Sequence, residues 1–166
     1  MCSAAASDQS QSWQQILRER LPLYGHRNWI VIADSAYPAQ SRPAIETIVA
    51  DADQLTVLKE VLQELSHSRH VGPIPYTDRE LNFLSDNDVP GIEAFRGSLL
   101  SLLAKPLSIP HEKLISKLDE AAQLFRVLII KTNSVLPYTT IFLQLDCAYW
   151  SPDAEKNLRA RIAGSK

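Results

Sequence analysis

Two side chains that can move protons lie at either end of one short hydrophobic segment. His26 precedes the run Trp29–Ala33, and Asp34 follows it directly. An imidazole and a carboxylate can serve together as general base and general acid. A straight strand of this length holds its ends about 25 Å apart. The two residues can therefore share a site only if His26 lies on a loop that folds back, or if it meets Asp34 of another subunit. Taken alone, the pattern favours a turn histidine and an aspartate that ends a strand.

Motifs of other common chemistries are missing from the sequence. It contains no G-x-x-x-x-G-K-[ST], G-x-G-x-x-G, G-x-S-x-G or H-E-x-x-H pattern, and these patterns accompany nucleotide binding, serine hydrolysis and zinc hydrolysis. His67 and His70 are about one helical turn apart, but no carboxylate or cysteine is placed to complete a metal site. Solvated residues at a helix end are the simpler interpretation. The sequence predicts neither a metal site nor a cofactor.

Composition and charge narrow the class of protein. The 166 residues, 45% of them hydrophobic and 22% charged, are typical of one globular domain. With 17 Lys and Arg against 19 Asp and Glu, the net charge is −2, which does not provide the basic surface that nucleic-acid binding needs. The apolar runs are far shorter than the roughly 20 residues that span a bilayer. We expect no nucleic-acid partner and no transmembrane segment.

The chain begins with small and polar residues. We interpret residues 1–12 as a flexible polar tail without an export signal, and the expected location is the cytoplasm. Cys2, which directly follows the only methionine, leaves a second interpretation open, namely a lipid-anchored protein whose signal has been removed. Cys147 lies in a hydrophobic stretch and is expected to be a small buried residue.

Strands and helices are predicted to alternate along the first half of the chain. Trp13, Ile16, Leu17 and Leu21 have helical spacing, and Pro22 ends that helix. A buried strand at 29–33 is followed by an ordered loop at 35–43, which leaves the strand at the end where α/β sheets bind ligands. A short strand at 47–50 precedes a leucine-rich helix capped by Asp51 or Asp53.

The second half continues the alternation after an irregular excursion at residues 66–87, where the sequence Gly72-Pro73-Ile74-Pro75 is expected to break regular structure. A helix capped by Asp88 ends before Pro106, and another begins at Pro110. Strands are expected at 127–130 and 139–145, and Ser151-Pro152-Asp153 predicts a C-terminal helix at 152–163. The fold class is α/β, with helices packed on the faces of one sheet in a single domain at 13–166.

Several of these segments resemble the D-ribose pyranase / L-fucose mutarotase (RbsD/FucU) family. Gly25-His26, the strand ending in Asp34 and the residues Ser35-Ala36-Tyr37-Pro38 resemble the family opening G-H-x-D … (I/V)-x-x-(C/S)-D-A-x-(F/L)-P. Ile109-Pro110-His111-Glu112 is similar to a later histidine or aromatic position. Pro137-Tyr138-Thr139-Thr140-Ile141 resembles the closing motif Y-(A/G)-N-I-(I/L)-L. The resemblance covers roughly residues 13–146.

The resemblance implies a sugar site made of specific residues. It assigns proton transfer to His26, Asp34 and Tyr138, and contacts with the sugar to His111 and Thr140. Thr140 stands where the family has an asparagine, so that an amide is replaced by a shorter hydroxyl. Arg27-Asn28 also departs from the small polar and acidic pair that usually follows the histidine.

The function implied is that of a cofactor-independent monosaccharide ring isomerase, a mutarotase or pyranase acting on a free sugar such as fucose or ribose. The family's ring-shaped homo-oligomers, with sites near subunit interfaces, are implied by the same resemblance. Because of Thr140, a sugar-binding or sugar-sensing relative without catalysis remains an alternative. A structural interaction protein built around the leucine-rich helices is a third class.

Overall fold

A computed structural model describes residues 11–165 as one mixed sheet with helices on both faces. The predicted α/β class is confirmed. Most of the predicted polar tail, Cys2 included, lies outside the described residues. Ser12, which the sequence assigned to that tail, is the N-cap of the first helix, and its hydroxyl accepts a hydrogen bond from the backbone of Gln15.

The helices and strands follow one another as the sequence predicted, with one strand pair added in the middle of the chain. In chain order they are α1 (Trp13–Arg20), β1 (Trp29–Ala33), β2 (Ile45–Val49), α2 (Gln54–His67), β3 (Val71–Asp78), α3 (Ile92–Leu102), β4 (Leu107–Ile109), α4 (His111–Ala121), β5 (Val127–Lys131), β6 (Ile141–Cys147) and α5 (Pro152–Ala163). Short 3₁₀ helices at Leu21–Leu23 and Arg79–Phe83 follow α1 and β3.

The strand order β2-β5-β1-β6-β3-β4 determines which chain ends meet. β1 runs parallel to β5 and antiparallel to β6, and β6 is in turn antiparallel to β3. Because β2 and β4 are parallel to their neighbours, β6 alone among these six strands is reversed. The ends of β1, β3 and β4 therefore lie at the same edge as the start of β6. We call this the carboxyl edge.

Two hydrophobic layers hold the sheet, one on each face. All five residues of β1 are buried. Ile30 and Ile32 point to one layer, and Trp29, Val31 and Ala33 point to the other. The first layer packs against α1, α2 and α3. The second packs against α4 through Leu114 and Leu118. A strand covered on both faces reads as a continuous apolar run, which explains why β1 was predicted at its observed bounds.

The strand β3 contradicts the prediction that Gly72 to Pro75 breaks regular structure. These residues pair with β6 along their whole length, from Val71 opposite Cys147 to Thr77 opposite Ile141. On the other side β4 pairs only with Tyr76 to Asp78. The prolines thus lie where β3 has an open edge, and proline is tolerated there because no ladder hydrogen bond is needed from it.

Smaller differences concern element ends. α3 begins at Ile92 with Gly91 as N-cap at φ 88°, and the predicted cap Asp88 instead accepts hydrogen bonds from the backbone and hydroxyl of Ser85. The strand β6 begins two residues later than predicted, and β4 was not predicted at all. Cys147 is partly exposed rather than buried.

His70 departs from its expected solvated state at a helix end. It is partly buried, and its Nε2 lies 3.2 and 3.1 Å from the carbonyl oxygens of Leu21 and Tyr24. The C-terminal α5 has Ser151 as its N-cap and buries none of its own residues. None of the helices in residues 11–165 is long and apolar enough to cross a bilayer.

Candidate functional site

Asp34 follows the last residue of β1 at the carboxyl edge, and both of its carboxylate oxygens are held. Oδ1 accepts a hydrogen bond of 2.9 Å from the backbone N–H of Ala36. Oδ2 accepts one of 3.1 Å from the hydroxyl of Thr140. Because these donors come from two different segments, the carboxylate is oriented and remains an acceptor for further donors.

The segment between β5 and β6, residues 132–140, crosses the end of β1. It must do so because β1 lies between those two strands in the sheet. The carbonyl oxygen of Ser134 accepts a hydrogen bond from the backbone of Ser35, and the buried Gln54 side chain donates to the carbonyl oxygen of Thr139 at 2.7 Å. These contacts anchor the segment directly above Asp34.

Tyr138, within this segment, has a left-handed backbone with φ 57°. For a residue that carries a large side chain this conformation costs of order 1–3 kcal/mol and is kept only where the surroundings impose it. Its effect is to direct the phenol ring toward α4, where it meets the His111 ring edge-on at a centroid distance of 5.6 Å. The side chain remains 41% exposed, so its hydroxyl can reach a ligand.

His111 is the first residue of α4, and two carboxylates hold it, Asp78 at the end of β3 and Glu80 in the 3₁₀ helix that follows. Its backbone N–H donates to Glu80, with the nearer oxygen at 3.0 Å. Glu80 thereby supplies the cap that Pro110, the N-cap residue, lacks. The Nδ1 atom of the ring lies 3.1 Å from Oδ1 of Asp78. The backbone of His111 is therefore held by Glu80, and its imidazole ring by Asp78.

Asp78 is the most unusual ionisable group of this region. Its side chain is only 1% exposed, and its Oδ2 is buried without a hydrogen-bond partner among the described residues. Burial raises the pKa of Asp78 to about 6, although His111 opposes the rise, and the nearby Glu80 and Asp34 add to it. The carboxyl group therefore binds its proton more tightly in the folded chain than in the unfolded one.

This pKa predicts a particular dependence of stability on pH. Since the pKa rises from 3.8 to about 6 on folding, the contribution of Asp78 is most favourable below pH 4 and is lost as the pH rises through 6. Between pH 4 and pH 7, we expect the free energy of unfolding to fall by about 2 kcal/mol relative to Asp78→Asn. Urea denaturation of both proteins at several pH values measures this difference. A difference that does not change with pH would contradict the assignment.

A cleft opens between these residues. Its main part has a volume of about 580 Å³ and is lined by Asp34, His111, Glu112 and Tyr138 together with residues 135–137. An adjoining part of about 390 Å³ shares Asp34 and His111 and extends to Tyr37. Both volumes are in the range of small-molecule sites. Burial raises the pKa of Tyr37 to about 12, so its phenol stays protonated.

His26 lies on the opposite edge of the sheet. It is exposed in the turn before β1, and a cavity of about 420 Å³ brings it together with Trp150, Glu155 and Arg159 of the α5 region. Five residues of β1 separate it from Asp34. Within one chain the structure brings together Asp34, His111, Tyr138 and Thr140, and it does not bring His26 to them.

Sequence reasoning missed Asp78, Glu80 and Tyr37. For Asp78 a signal was present, because Tyr76-Thr77-Asp78 repeats the pattern of a strand that ends in an aspartate, as seen at Asp34. Pro73 and Pro75, which precede this pattern, argued against a strand in the sequence. In the part of the chain that is described, no group of three or more His, Cys, Asp or Glu side chains could hold a metal ion.

A family model matches most of the chain. It is the model of the RbsD / FucU transport protein family, and it matches residues 12–147. The match therefore includes every strand of the sheet and ends before α5. Among proteins of curated function, no significant match is found.

Solved structures with the same fold include two sugar complexes. RbsD from Bacillus subtilis in complex with D-ribose is 18% identical, with a TM-score of 0.56 over 83% of this chain and 97% of its own. Fucose mutarotase from Streptococcus pneumoniae in complex with L-fucose is 20% identical, with a TM-score of 0.51 over 77% and 89%. FucU from Bifidobacterium longum is 17% identical, with a TM-score of 0.53 over 79% and 92%. At these identities the likeness shows a shared fold.

Proposed function

The chain belongs to the RbsD / FucU transport protein family, and from that premise we propose that it binds a free monosaccharide at the carboxyl edge and interconverts the ring forms of the sugar without a cofactor. One observation carries the proposal. The carboxylate of Asp34, the imidazole of His111 and the phenol of Tyr138 line a single cleft of about 580 Å³. The ribose and fucose complexes of two structural neighbours support the same ligand class.

Ring opening needs a base and an acid on opposite sides of the anomeric carbon. A base removes the proton of the anomeric hydroxyl, the bond between the anomeric carbon and the ring oxygen breaks, and an acid protonates the ring oxygen. The product is an open-chain aldehyde, which recloses on its other face or through another hydroxyl. Every proton taken up is returned, so no metal or redox partner is required.

The residues of the cleft suit these steps. We assign Asp34 to an anomeric or neighbouring hydroxyl, because its carboxylate is oriented by Ala36 and Thr140 yet faces the cleft. His111 lines the same cleft, and the Tyr138 ring lies edge-on to the His111 ring. A phenol can donate to the ring oxygen or to a hydroxyl. Thr140, expected to touch the sugar, acts on Asp34 in this arrangement.

For His26 we propose a place in the site of a neighbouring subunit. It is exposed at the opposite edge of the sheet, so a head-to-tail contact between two copies could bring it to a partner's carboxyl edge. Such contacts close into rings when the rotation between subunits allows it. The proposal is a homo-oligomer in which each complete site has His26 from one chain and Asp34 from another.

Saturation-transfer NMR tests the function directly. Irradiating the signal of one anomer of ribose or fucose and observing the other measures exchange, while line broadening of the sugar reports binding. We expect exchange with at least one of the sugars to rise in proportion to protein concentration. Binding without added exchange would favour a sugar-sensing protein, and the absence of both would refute the proposal for these two sugars.

Replacing the hydroxyl that orients Asp34 should slow the reaction. Thr140 is 3% exposed, and valine has nearly its shape but no donor. A hydrogen bond to a charged group contributes about 1.5–3 kcal/mol, so Thr140→Val should lower anomer exchange roughly tenfold or more. The same NMR measurement gives the rate.

Thr132→Val is the matched control for this change. Its buried hydroxyl donates to the carbonyl oxygen of Ala33, which also accepts from the Thr132 backbone N–H and so remains satisfied. The change also removes a long hydrogen bond of 3.3 Å from the Ser134 backbone N–H to this hydroxyl, while the Ser134 carbonyl keeps its contact with Ser35. The control should lose stability but keep most of its exchange rate. If both variants lose exchange equally, the effect of Thr140 does not pass through Asp34.

A further inference from the structure

We infer that Asp78 is a positioning residue that fixes His111 as the tautomer protonated on Nδ1, so that Nε2 faces the cleft as a proton acceptor. The inference rests on the proposed function for its catalytic consequence, but the tautomer itself can be measured without it. Asp78 does not line the cleft and acts through the imidazole.

The position of His111 leaves one ring nitrogen available. Its backbone is held by Glu80 and its Nδ1 by Asp78, and Tyr138 lies against the ring. The imidazole is 32% exposed and lines both parts of the cleft. Within residues 11–165 no hydrogen bond is made by Nε2, so this atom is free for a ligand.

The chemistry of the pair determines the tautomer. An ionised carboxylate only accepts hydrogen bonds, so the atom that faces it at 3.1 Å must carry a proton. A neutral imidazole has a single N–H, and the other nitrogen then holds a lone pair. With Nδ1–H directed to Asp78, the lone pair is on Nε2. The opposite tautomer would place two lone pairs against each other.

The stability of the fold does not explain why residue 78 is an aspartate. Its Oδ2 is buried with no partner among the described residues, and the charged or titratable groups around it are His111, Glu80, Asp34 and the neutral phenol of Tyr37. Burying a carboxylate that lacks partners destabilises a fold. An amide of the same size would avoid that cost. The carboxylate of Asp78 is explained if the site needs a hydrogen-bond acceptor next to Nδ1 of His111.

Asp78→Asn tests the inference, because an asparagine can turn its amide N–H groups toward Nδ1 and thereby favour a proton on Nε2. Nitrogen-15 NMR of the histidine rings at pH 8 identifies the tautomer, with His111→Gln used to assign the signal. We expect Nδ1–H in the wild type and a shift toward Nε2–H in the variant. The kcat of anomer exchange should fall roughly tenfold to a hundredfold, with little change in KM. A loss of this size is typical when a side chain that orients a functional imidazole is replaced.

Thermal unfolding at pH 8 separates this role from a structural one. Asp78→Asn should unfold at a temperature no lower than the wild type, because the buried charge is gone. Glu80→Gln is the matched control: it makes the same acid-to-amide change two residues away, where the contact is to the backbone of His111. The tautomer of His111 should stay the same in that protein.

The outcomes distinguish this inference from the proposed function. If the tautomer changes in Asp78→Asn but the wild type exchanges no sugar, Asp78 positions His111 and the isomerase proposal fails. If the wild type exchanges sugar and the variant keeps its rate, the catalytic role of Asp78 is refuted. An Nε2–H tautomer in the wild type overturns the inference at once, even if the variant does not fold.

Discussion

Asp34→Asn is expected to lower anomer exchange by roughly 10² to 10⁴-fold, the contribution usual for a positioned acid or base. The amide keeps an oxygen that can accept from Ala36 or Thr140, so the local structure should persist. What is lost is a group that can take up a proton. The rate is measured by saturation transfer, with the unfolding temperature recorded beside it.

Asp51→Asn serves as the control for this change. Asp51 is an exposed aspartate after β2, and none of its side-chain atoms lines the cleft. It should retain the wild-type rate. If Asp34→Asn exchanged sugar within about threefold of the wild type, general acid–base catalysis by Asp34 would be excluded.

His26→Ala should likewise abolish exchange if the site is shared between subunits. A mixture of two variants tests the shared site more directly. When His26→Ala and Asp34→Asn chains are co-expressed in equal amounts, some interfaces pair the intact His26 of one chain with the intact Asp34 of its neighbour. About a quarter of the wild-type rate should return, because half of the donors of each residue are intact.

Two other results would change the assignment of His26. If each single variant is inactive and oligomeric and the mixture is inactive too, His26 and Asp34 do not combine across subunits in one site. If His26→Ala retains the full rate, the imidazole that matters is His111 and not His26. Size-exclusion chromatography with light scattering gives the oligomeric state of each sample, and an 18.6 kDa particle would count against a shared site.

The part of the site that the sequence predicted comes from segments whose local pattern is unambiguous. Trp29–Ala33 is a β-branched and aromatic run typical of a buried strand, so Asp34 was expected at the carboxyl end of that strand. The strands expected at 127–130 and 139–145 left Tyr138 in the connection between them, two residues before Thr140. Family resemblance connected these residues with His111, which is distant in sequence but close in the fold.

The part that could not be predicted depends on topology. Pro73 and Pro75 argue against a strand unless it is known that one side of β3 is open there, and the local sequence does not contain that information. With β3 missed, Asp78 had no reason to lie near His111. The left-handed backbone of Tyr138 was also invisible, because no glycine marks the position.

The reversed direction of β6 has a consequence for how this protein can change. A connection between two parallel strands must return across the sheet and usually needs a helix, whereas residues 132–140 leave β5 and enter β6 at the same edge. Insertions or deletions in residues 132–140 change the segment that crosses above Asp34 and leave every strand in place. Loop exchange at this one connection is therefore the simplest route, for evolution or for engineering, to a different ligand on an unchanged scaffold.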